Sequence, residues 1–293
     1  MYSIIKNGDI TSIRRPNFLL IQMNLEKQMN VFNKHDIYKG DLPIFKGGTS
    51  SKLLNSIIKS NLYELFPESS SPEVASFSLG GDEVMRRIDN FSKKIFQSCF
   101  VRRCSVAVIS EIGIDPYSII LDTPRIRCVP NLSMDEPLPV LMYGAHRDTW
   151  YGEPQCQINV WIPIYDVDES KSFEFYPDYF GSPIVNSSDT FNLNVEIDPK
   201  TCTNSHPVPL ENILGSRYKF SAAAGDNLLF SAAHLHGTTR NSSGLDRYAL
   251  QFRLVYKRDM VDGYGAPNVD NRSTGGTAIF MHPVESWITA GTS

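Results

Sequence analysis

Short apolar or alternating segments dominate the chain after residue 100. They read SVAVIS, YSIILDTPRIRCV, PVLMYGAH, QINVWIPIYDV, KSFEFYP, RYKFSAAAGDNLLFSAAHLH and DRYALQFRLVY, with Gly, Pro, Asn and Asp between them. Such segments, bounded by turn residues, are typical of β-strands, and many short strands favour a sandwich or a barrel. We therefore predict a mainly β core over residues 101–258, with its first strand at 105–110.

In the first hundred residues, apolar side chains recur at the spacing of α-helices instead. In the segment 49–66, capping residues precede Leu53, Ile57 and Leu62, which recur near helical spacing. A second stripe in the segment 82–100 consists of Val84, Ile88, Phe91, Ile95 and Phe96. We expect both helices to support the sheet, and a dimer face is the alternative. The chain is then one domain, with helical support in 1–100, the core in 101–258 and a tail in 259–293.

Composition excludes several classes of protein. The 293 residues carry a formal net charge of −4, and Lys and Arg form no basic stripe, which disfavours nucleic acids and anionic membranes as partners. No apolar run approaches the roughly 18 residues of a membrane span, and the N-terminus lacks the apolar core of a signal peptide. Five widely spaced cysteines favour a reducing compartment. We expect a cytoplasmic protein, a monomer or homodimer, that binds a small molecule.

Two pairs of polar residues provide a candidate metal site. Because strand side chains alternate, His146 and Asp148 project from the same face, as do His234 and His236. Two imidazoles and one carboxylate on one face of an octahedral ion are the arrangement of non-haem Fe(II) oxygenases. Zinc hydrolases also use such ligands, so the residue types leave the chemistry open.

Arg247 begins an alternating apolar segment and adds a requirement for an anion. An arginine that faces the inside of an apolar barrel is costly to bury without a negative partner, and its planar guanidinium suits a carboxylate. A diacid that chelates iron at its other end, such as 2-oxoglutarate, meets this requirement. A salt bridge to a protein acid is the alternative.

The order and spacing of these residues resemble one known family. The motif HRD at 146–148, followed by HLHGTTRNSSGLDR at 234–247, is similar to the phytanoyl-CoA hydroxylase-like branch of the Fe(II)/2-oxoglutarate-dependent oxygenases. Asp148 and His236 are 88 positions apart, as in that family, and the resemblance covers 118–256. It implies a double-stranded β-helix, also called a jelly roll or cupin-like fold.

The resemblance also implies functional residues. His146, Asp148 and His236 would bind Fe(II), and Arg247 would bind the distal carboxylate of 2-oxoglutarate. His236 is preferred to His234 because Arg247 follows it by the family's eleven residues. Many relatives have a serine two residues after the arginine, where this chain has Ala249. Thr238 and Gln251 are the candidate substitutes.

Further side chains are expected to line the pocket. Gln157, Asn159 and Trp161 share one face of a strand; we expect the two amides to contact 2-oxoglutarate and Trp161 to border the substrate or belong to the core. Other candidate substrate contacts are Trp150, Tyr151 and Arg127, and Arg127 shares a strand face with Arg125. An anionic substrate or a solvated strand face would explain the two arginines.

The segment 166–217 is long and rich in loop-forming residues. Four aromatic residues in the first seven residues of 174–191 favour a lid that excludes water, and a crossover packed on the barrel is the alternative. His35, His206 and His282 have no nearby partners in the sequence. We expect them to be surface or ordinary hydrogen-bonded residues.

The implied reaction is hydroxylation of an unactivated C–H bond in a small metabolite, such as an intermediate of specialised metabolism. Its cosubstrates would be 2-oxoglutarate and dioxygen, and its coproducts succinate and carbon dioxide. Related halogenases have a small residue where this chain has Asp148, which favours hydroxylation, or desaturation, epimerisation or ring formation. A zinc hydrolase and a metal-binding barrel without catalysis are the alternatives from other classes.

Overall fold

A computed structural model describes residues 4–7, 10–13, 32–131, 144–192, 206–274, 276 and 281–289. The helices in these ranges are α1 Lys34–Tyr38, α2 Thr49–Leu65, α3 Ala75–Leu79, α4 Gly81–Ile95, α5 Cys99–Glu111, α6 Lys257–Asp262 and α7 Val284–Thr289. The strands are β1 Ile4–Asn7, β2 Ile10–Ile13, β3 Ile44–Phe45, β4 Ile119–Leu121, β5 Arg125–Val129, β6 Gln157–Pro163, β7 Phe173–Phe175, β8 Asn227–Ser231, β9 His236–Thr238, β10 Arg247–Tyr256 and β11 His282–Pro283.

Two antiparallel sheets form the core of the described structure. The larger sheet has the order β1-β2-β3-β8-β6-β10-β4-β11, and β5 pairs with β10 beside β4. Its long central strand, β10, pairs with β6 from Ala249 to Val255 and with β5 from Arg247 to Gln251. The smaller sheet contains β7 and β9. The mainly β core predicted after residue 100 is therefore present as antiparallel sheets.

Strand alternation divides the larger sheet into two different faces. On β6, Ile158, Val160 and Ile162 belong to the large core that the helices cover. Trp161 points the other way, into a second cluster with Ala249 and Phe230. This second cluster also includes Phe173 and Phe175 of the smaller sheet. The space between the two sheets is therefore an aromatic interior, and the helices lie on the opposite side of the larger sheet.

Two predictions about the helices are wrong in detail. The segment 105–110 is not a strand, because it lies inside α5. Ser98 caps this helix, and Val101, Ser105, Val108 and Ile109 are buried at helical spacing, so packing of one face overrides the strand preference of valine and isoleucine. The buried stripe of α2 contains Leu54, Ile58 and Leu62, whereas Leu53 is 46% exposed.

Other expectations for the helical region agree with the structure. In the second predicted stripe, Val84, Ile88, Ile95 and Phe96 are buried, and Phe91 packs against the same cluster. Residues 139–143 of the predicted strand 139–146, 193–205 of the long loop and part of the tail lie outside the described residues. None of the helices described has both the length and the apolar character needed to cross a membrane.

Phe252 tests the contribution of the helix-facing side of the sheet. This side chain is fully buried on β10, opposite Val160, so replacing it with alanine should lower the free energy of unfolding by about 3–5 kcal/mol. Denaturant unfolding measures this change. Phe77→Ala is the matched control because Phe77 is 66% exposed, and it should cost less than about 0.5 kcal/mol. Equal losses in the two variants would contradict this account of the core.

Candidate metal centre

A reciprocal pair of backbone hydrogen bonds brings two histidines together. The amide of His146 donates to the carbonyl of His236 at 2.8 Å, and the amide of His236 donates to the carbonyl of His146 at 3.0 Å. The two ring centroids are 4.5 Å apart. Gly237 permits this close approach, since a Cβ there would lie 3.1 Å from Cα of Ala145. The end of β9 therefore places both imidazoles on one side of the paired backbones.

Asp148 completes a group of three possible metal ligands. It begins a 3₁₀ turn over Asp148–Tyr151 and is 2% exposed. One of its carboxylate oxygens lies 3.7 Å from Nε2 of His146. Ligand atoms of His146, Asp148 and His236 all lie within 4.8 Å of one another. Two imidazoles and one carboxylate at this separation suit a divalent transition metal ion.

Hydrogen bonds direct one nitrogen of each imidazole toward the shared space. Nδ1 of His146 lies 2.9 Å from the carbonyl oxygen of Gly144, and Nδ1 of His236 lies 3.0 Å from that of His234. Because a carbonyl oxygen only accepts hydrogen bonds, each Nδ1 must carry the proton. Each Nε2 then keeps its lone pair, which is the form a metal ion requires.

The protonation states of the group also suit metal binding. Burial, together with the neighbouring His236, lowers the pKa of His146 to about 4, so its imidazole is neutral at pH 7. Burial acts to raise the pKa of Asp148, but Arg253 and the two imidazoles hold it below its ordinary value. A neutral imidazole and an ionised carboxylate can bind a cation without first losing a proton.

Asn159 and Gln157 position the carboxylate of Asp148. Nδ2 of Asn159 donates to Oδ2 of Asp148 at 2.6 Å, and Nε2 of Gln157 lies 3.4 Å from the same oxygen. Both side chains are fully buried. The two amides predicted to contact 2-oxoglutarate therefore contact a candidate metal ligand. Oε1 of Gln157 accepts no hydrogen bond from the described residues, which leaves one buried acceptor beside the group.

His234 does not belong to this group. Its Nδ1 accepts a hydrogen bond from the amide of Ser231 at 3.1 Å, its Nε2 lies 3.2 Å from the carbonyl oxygen of Gly40, and its ring lies on Phe180 with centroids 4.5 Å apart. The structure thus uses His234 to connect β9 to the N-terminal region. The group of possible ligands contains His236, with His146 and Asp148.

Trp150 does not border a substrate, contrary to the prediction. Its side chain is fully buried, and its Nε1 donates to Asp270 at 2.7 Å. Arg147 donates to the same carboxylate at 3.1 Å. These contacts attach the 3₁₀ turn of Asp148 to the segment near 270, so Trp150 has a structural role and no free face for a ligand.

Arg247 lies at the aromatic end of the interior. It is 7% exposed, its Nη1 donates to the carbonyl of Lys171 at 2.7 Å, and its guanidinium lies 5.8 Å from the ring centroid of Phe173. That ring lies 6.0 Å from the ring of His236, so a single aromatic side chain bridges the arginine and the metal group. Thr238, a predicted cosubstrate contact, is the strand partner of Phe173.

The interior next to Arg247 is apolar. Ala249, in the place where many relatives have serine, is 2% exposed. Trp161 is 5% exposed, and its ring lies 5.4 Å from the rings of Phe173 and Phe220. Trp161 is therefore a core residue that also forms the wall of the interior.

Tyr151 and His206 lie on the open side of the group. The ring of Tyr151 contacts the edge of the His146 ring at 5.5 Å and that of Phe191 at 5.2 Å. Its hydroxyl lies 2.9 Å from Nδ1 of His206. The structure thus places Tyr151 between the ring of His146 and that of Phe191, which belongs to the predicted lid. His206, expected to be a surface or ordinary hydrogen-bonded residue, is exposed and makes this hydrogen bond, although no sequence spacing connects it to residue 151.

Arg253 and Glu153 were not predicted from the sequence. Arg253 lies opposite Asn159 in the sheet, and its Nη1 donates to Glu153 at 3.1 Å. Strand alternation contained the signal for Arg253, since it shares the face of Arg247 on β10. Arg125 and Arg127 of β5 lie on this same face of the sheet, and both residues are exposed to solvent.

The contact between Asn159 and Asp148 can be tested directly. Asn159→Ala removes the 2.6 Å hydrogen bond, so the carboxylate should lose its fixed orientation and Mn(II) affinity should fall by about 10- to 100-fold. Calorimetric titration with Mn(II) measures the change. Asn90→Ala, at an exposed position of α4, should bind like the wild type. If Asn159→Ala retained full affinity, Asp148 would not depend on this amide.

The burial of Glu153 predicts a dependence of stability on pH. Burial raises its pKa from 4.5 to about 7, even though Arg253 opposes the change. Between these values the native state holds a proton that the unfolded chain has lost, so the contribution of Glu153 to stability falls as pH rises. Relative to wild type, Glu153→Gln should gain about 1.4 kcal/mol per pH unit within this window and change little above it.

Urea unfolding of both proteins at about pH 5, 6 and 8 measures this difference. Glu64→Gln is the matched control because Glu64 is exposed on α2, and its difference from wild type should not follow the same curve. A difference between Glu153→Gln and wild type that did not vary with pH would show that Glu153 is ionised throughout.

Comparisons with known proteins gave distant structural neighbours. No family model and no curated protein matches the chain. EvdO2 from Micromonospora carbonacea var. aurantiaca is 11% identical, with 73% of this chain and 86% of that chain covered and a TM-score of 0.44. A non-heme monooxygenase, ThoJ, is 11% identical, with 72% of each chain covered and a TM-score of 0.43. The non-heme alpha ketoglutarate dependent epimerase SnoN from nogalamycin biosynthesis is 15% identical, with 76% and 82% covered and a TM-score of 0.41. At these scores the similarities do not assign an activity to this chain.

Proposed function

We propose that the protein is an Fe(II)- and 2-oxoglutarate-dependent dioxygenase of the phytanoyl-CoA hydroxylase-like type. The observation that carries this proposal is the group of His146, Asp148 and His236, with ligand atoms within 4.8 Å of one another. Its two imidazoles are fixed with Nε2 free, and its carboxylate is positioned by Asn159. We also propose that the facing sheets are the two sides of a double-stranded β-helix and that the protein is cytoplasmic.

The donor set fits iron in its ferrous state. Two imidazole nitrogens and one carboxylate oxygen leave open positions on an octahedral ion, which a chelating cosubstrate and dioxygen require. Thiolate ligands would instead favour zinc or iron–sulfur clusters, and no cysteine belongs to the group found among the described residues. The unsatisfied Oε1 of Gln157 adds an acceptor for a metal-bound water or other donor.

The interior also fits a diacid. Arg247 is a buried cation at the end of an apolar space, and Phe173 lies between it and His236. A carboxylate that reached this guanidinium would gain charge-assisted hydrogen bonds in a place with little competing water. Thr238, the strand partner of Phe173 in the smaller sheet, would supply a hydroxyl to this carboxylate in place of the serine that Ala249 replaces.

The residues around the group have separate roles in this proposal. When bound, iron and 2-oxoglutarate supply oxidation of an unactivated C–H bond by dioxygen, with succinate and carbon dioxide as coproducts. His146, Asp148 and His236 hold the ion, and Arg247 holds the distal carboxylate. The rings of Phe173, Phe175 and Phe230, all within 6.0 Å of the His236 ring, exclude water from one side. Tyr151 and Phe191 cover the other side, where a small metabolite would bind.

Among oxidative outcomes we propose hydroxylation. Asp148 is buried and held by Asn159, so its carboxylate would bind the ion and leave no position for a halide. Desaturation, epimerisation and ring formation use the same components, and product analysis separates them from hydroxylation.

Binding of 2-oxoglutarate tests the assignment of Arg247. Anaerobic protein with Fe(II) should develop a weak visible charge-transfer band on addition of 2-oxoglutarate. Arg247→Gln should raise the concentration needed for half of this band by about 10- to 100-fold, because a buried carboxylate loses its charge-assisted hydrogen bonds. Arg86→Gln, on the exposed face of α4, should leave it unchanged.

Oxygen-dependent release of succinate tests the activity itself. Wild-type protein should form succinate only with Fe(II), 2-oxoglutarate and dioxygen together, and His236→Ala should form none. Metal binding without 2-oxoglutarate turnover would favour a non-catalytic metal-binding barrel. Zinc-dependent activity that survived without oxygen would favour a hydrolase, and either result would contradict the proposal.

A further inference from the structure

Three arginines project from one interior face of the larger sheet. Arg127 of β5 lies opposite Ala249 of β10, and Arg125 lies opposite Gln251. Arg253 is the next residue of β10 on the same face and is a diagonal neighbour of Arg125. Because diagonal neighbours in a sheet are about 7–8 Å apart, the long side chains of these arginines can meet at one ligand.

This group of arginines lies next to the candidate metal centre. Arg253 is paired in the sheet with Asn159, which donates to Asp148 at 2.6 Å. Burial lowers the pKa of His206, and the nearby charge of Arg127 lowers it further. His206 in turn contacts the hydroxyl of Tyr151 at 2.9 Å. The charge of Arg127 therefore acts on both His206 and Tyr151, beside which we place the substrate.

The local acids balance these charges only in part. Arg125 contacts Asp122 at 3.3 Å, and Arg253 contacts Glu153 at 3.1 Å. Arg127 makes no side-chain hydrogen bond or ion pair within the ranges that the structure describes. The acids that act on it from a distance are Asp89 and the metal-ligand candidate Asp148. A metal ion bound to Asp148 would cancel much of the negative charge by which Asp148 acts on Arg127.

The environment of Arg127 is unfavourable for a cation that lacks a partner. Burial lowers its pKa to about 10, and Arg253 and Arg125 contribute to this change. Arg127 is nevertheless exposed, so a ligand can reach it from solvent. An anion bound to it would gain charge-assisted hydrogen bonds and relieve the repulsion among the arginines.

We propose that Arg127, with Arg125 and Arg253 beside it, binds a carboxylate or phosphate group of the primary substrate. This inference rests on the proposed function, because it assigns the substrate class of the same metal centre. We assign this subsite separately from the one for 2-oxoglutarate. Arg127 and Arg247 are diagonal neighbours in the sheet, but Nη1 of Arg247 donates to the carbonyl of Lys171, whereas the charge of Arg127 acts on Tyr151 and His206. An anchor of this kind would fix which carbon of the substrate lies nearest the metal.

Binding of simple anions tests the subsite before the substrate is known. The protein is loaded with Mn(II) and 2-oxoglutarate under argon and titrated calorimetrically with 3-phenylpropanoate, inorganic phosphate and uncharged 3-phenylpropanamide. Wild-type protein should bind at least one anion about tenfold or more tightly than the amide. Arg127→Gln should lose about tenfold or more of this affinity, whereas Arg127→Lys should retain part of it because the charge remains.

Two controls separate the possible outcomes. Arg86→Gln removes an exposed arginine of α4 and should bind the anions like wild type. Affinity for 2-oxoglutarate should stay within about twofold in Arg127→Gln but fall in Arg247→Gln. If Arg127→Gln weakened 2-oxoglutarate as much as Arg247→Gln, the guanidinium would serve the cosubstrate and the proposal would be overturned. Absence of anion binding in wild type, or unchanged anion binding in Arg127→Gln, would also overturn it.

The same titration with Mn(II) alone distinguishes this proposal from the proposed function. Anion binding that depends on Arg127 without 2-oxoglutarate would support the subsite even if 2-oxoglutarate never bound. Binding of 2-oxoglutarate without any anion subsite would leave the oxygenase function intact and refute the assignment of Arg127.

Discussion

The paired backbones of His146 and His236 are the constraint on which the metal centre depends. Two hydrogen bonds, at 2.8 and 3.0 Å, join residues from distant parts of the chain, and Gly237 leaves room for Ala145 to approach. Because these bonds use main-chain atoms, they set the separation of the imidazoles without using either ring. The rings are then oriented by their own bonds to the carbonyls of Gly144 and His234, so position and orientation are controlled independently.

The charged groups around Asp148 stabilise one another through successive contacts. Asp148 is buried, and its ionised form is supported by Asn159 and by the positive charge of Arg253. Glu153 in turn holds Arg253. With this support Asp148 can stay ionised although it is buried, and a bound divalent ion would neutralise its negative charge. Arg247 and Arg127 are diagonal neighbours on one face of β10 and β5, and the guanidinium of Arg247 donates to the carbonyl of Lys171 beside the ring of Phe173.

The errors of the sequence interpretation share a physical cause. The segment 105–110 has valines and isoleucine that suit a strand, yet it lies in α5 because one helical face packs against the core. In α2 the buried residues are Leu54 and Ile58, each one position after the predicted Leu53 and Ile57, whereas Leu62 is buried as predicted. Trp150 follows the metal motif directly but points into the scaffold, where Asp270 accepts its hydrogen bond. The local sequence pattern shows which residues are apolar, whereas packing decides which of them face the core.

What the sequence determined by itself is the set of groups that alternation and short spacing connect: the shared face of His146 and Asp148, the interior face of Gln157, Asn159 and Trp161, and the strand that begins at Arg247. These follow from a period of two residues, which is a local property of an extended backbone. Only the tertiary structure decided that His236 and not His234 joins the group, that the amides contact Asp148, and that His206, Glu153 and Arg253 surround it. Those contacts join residues far apart in the chain, and their formation depends on sheet register and packing, for which no local spacing carries a signal.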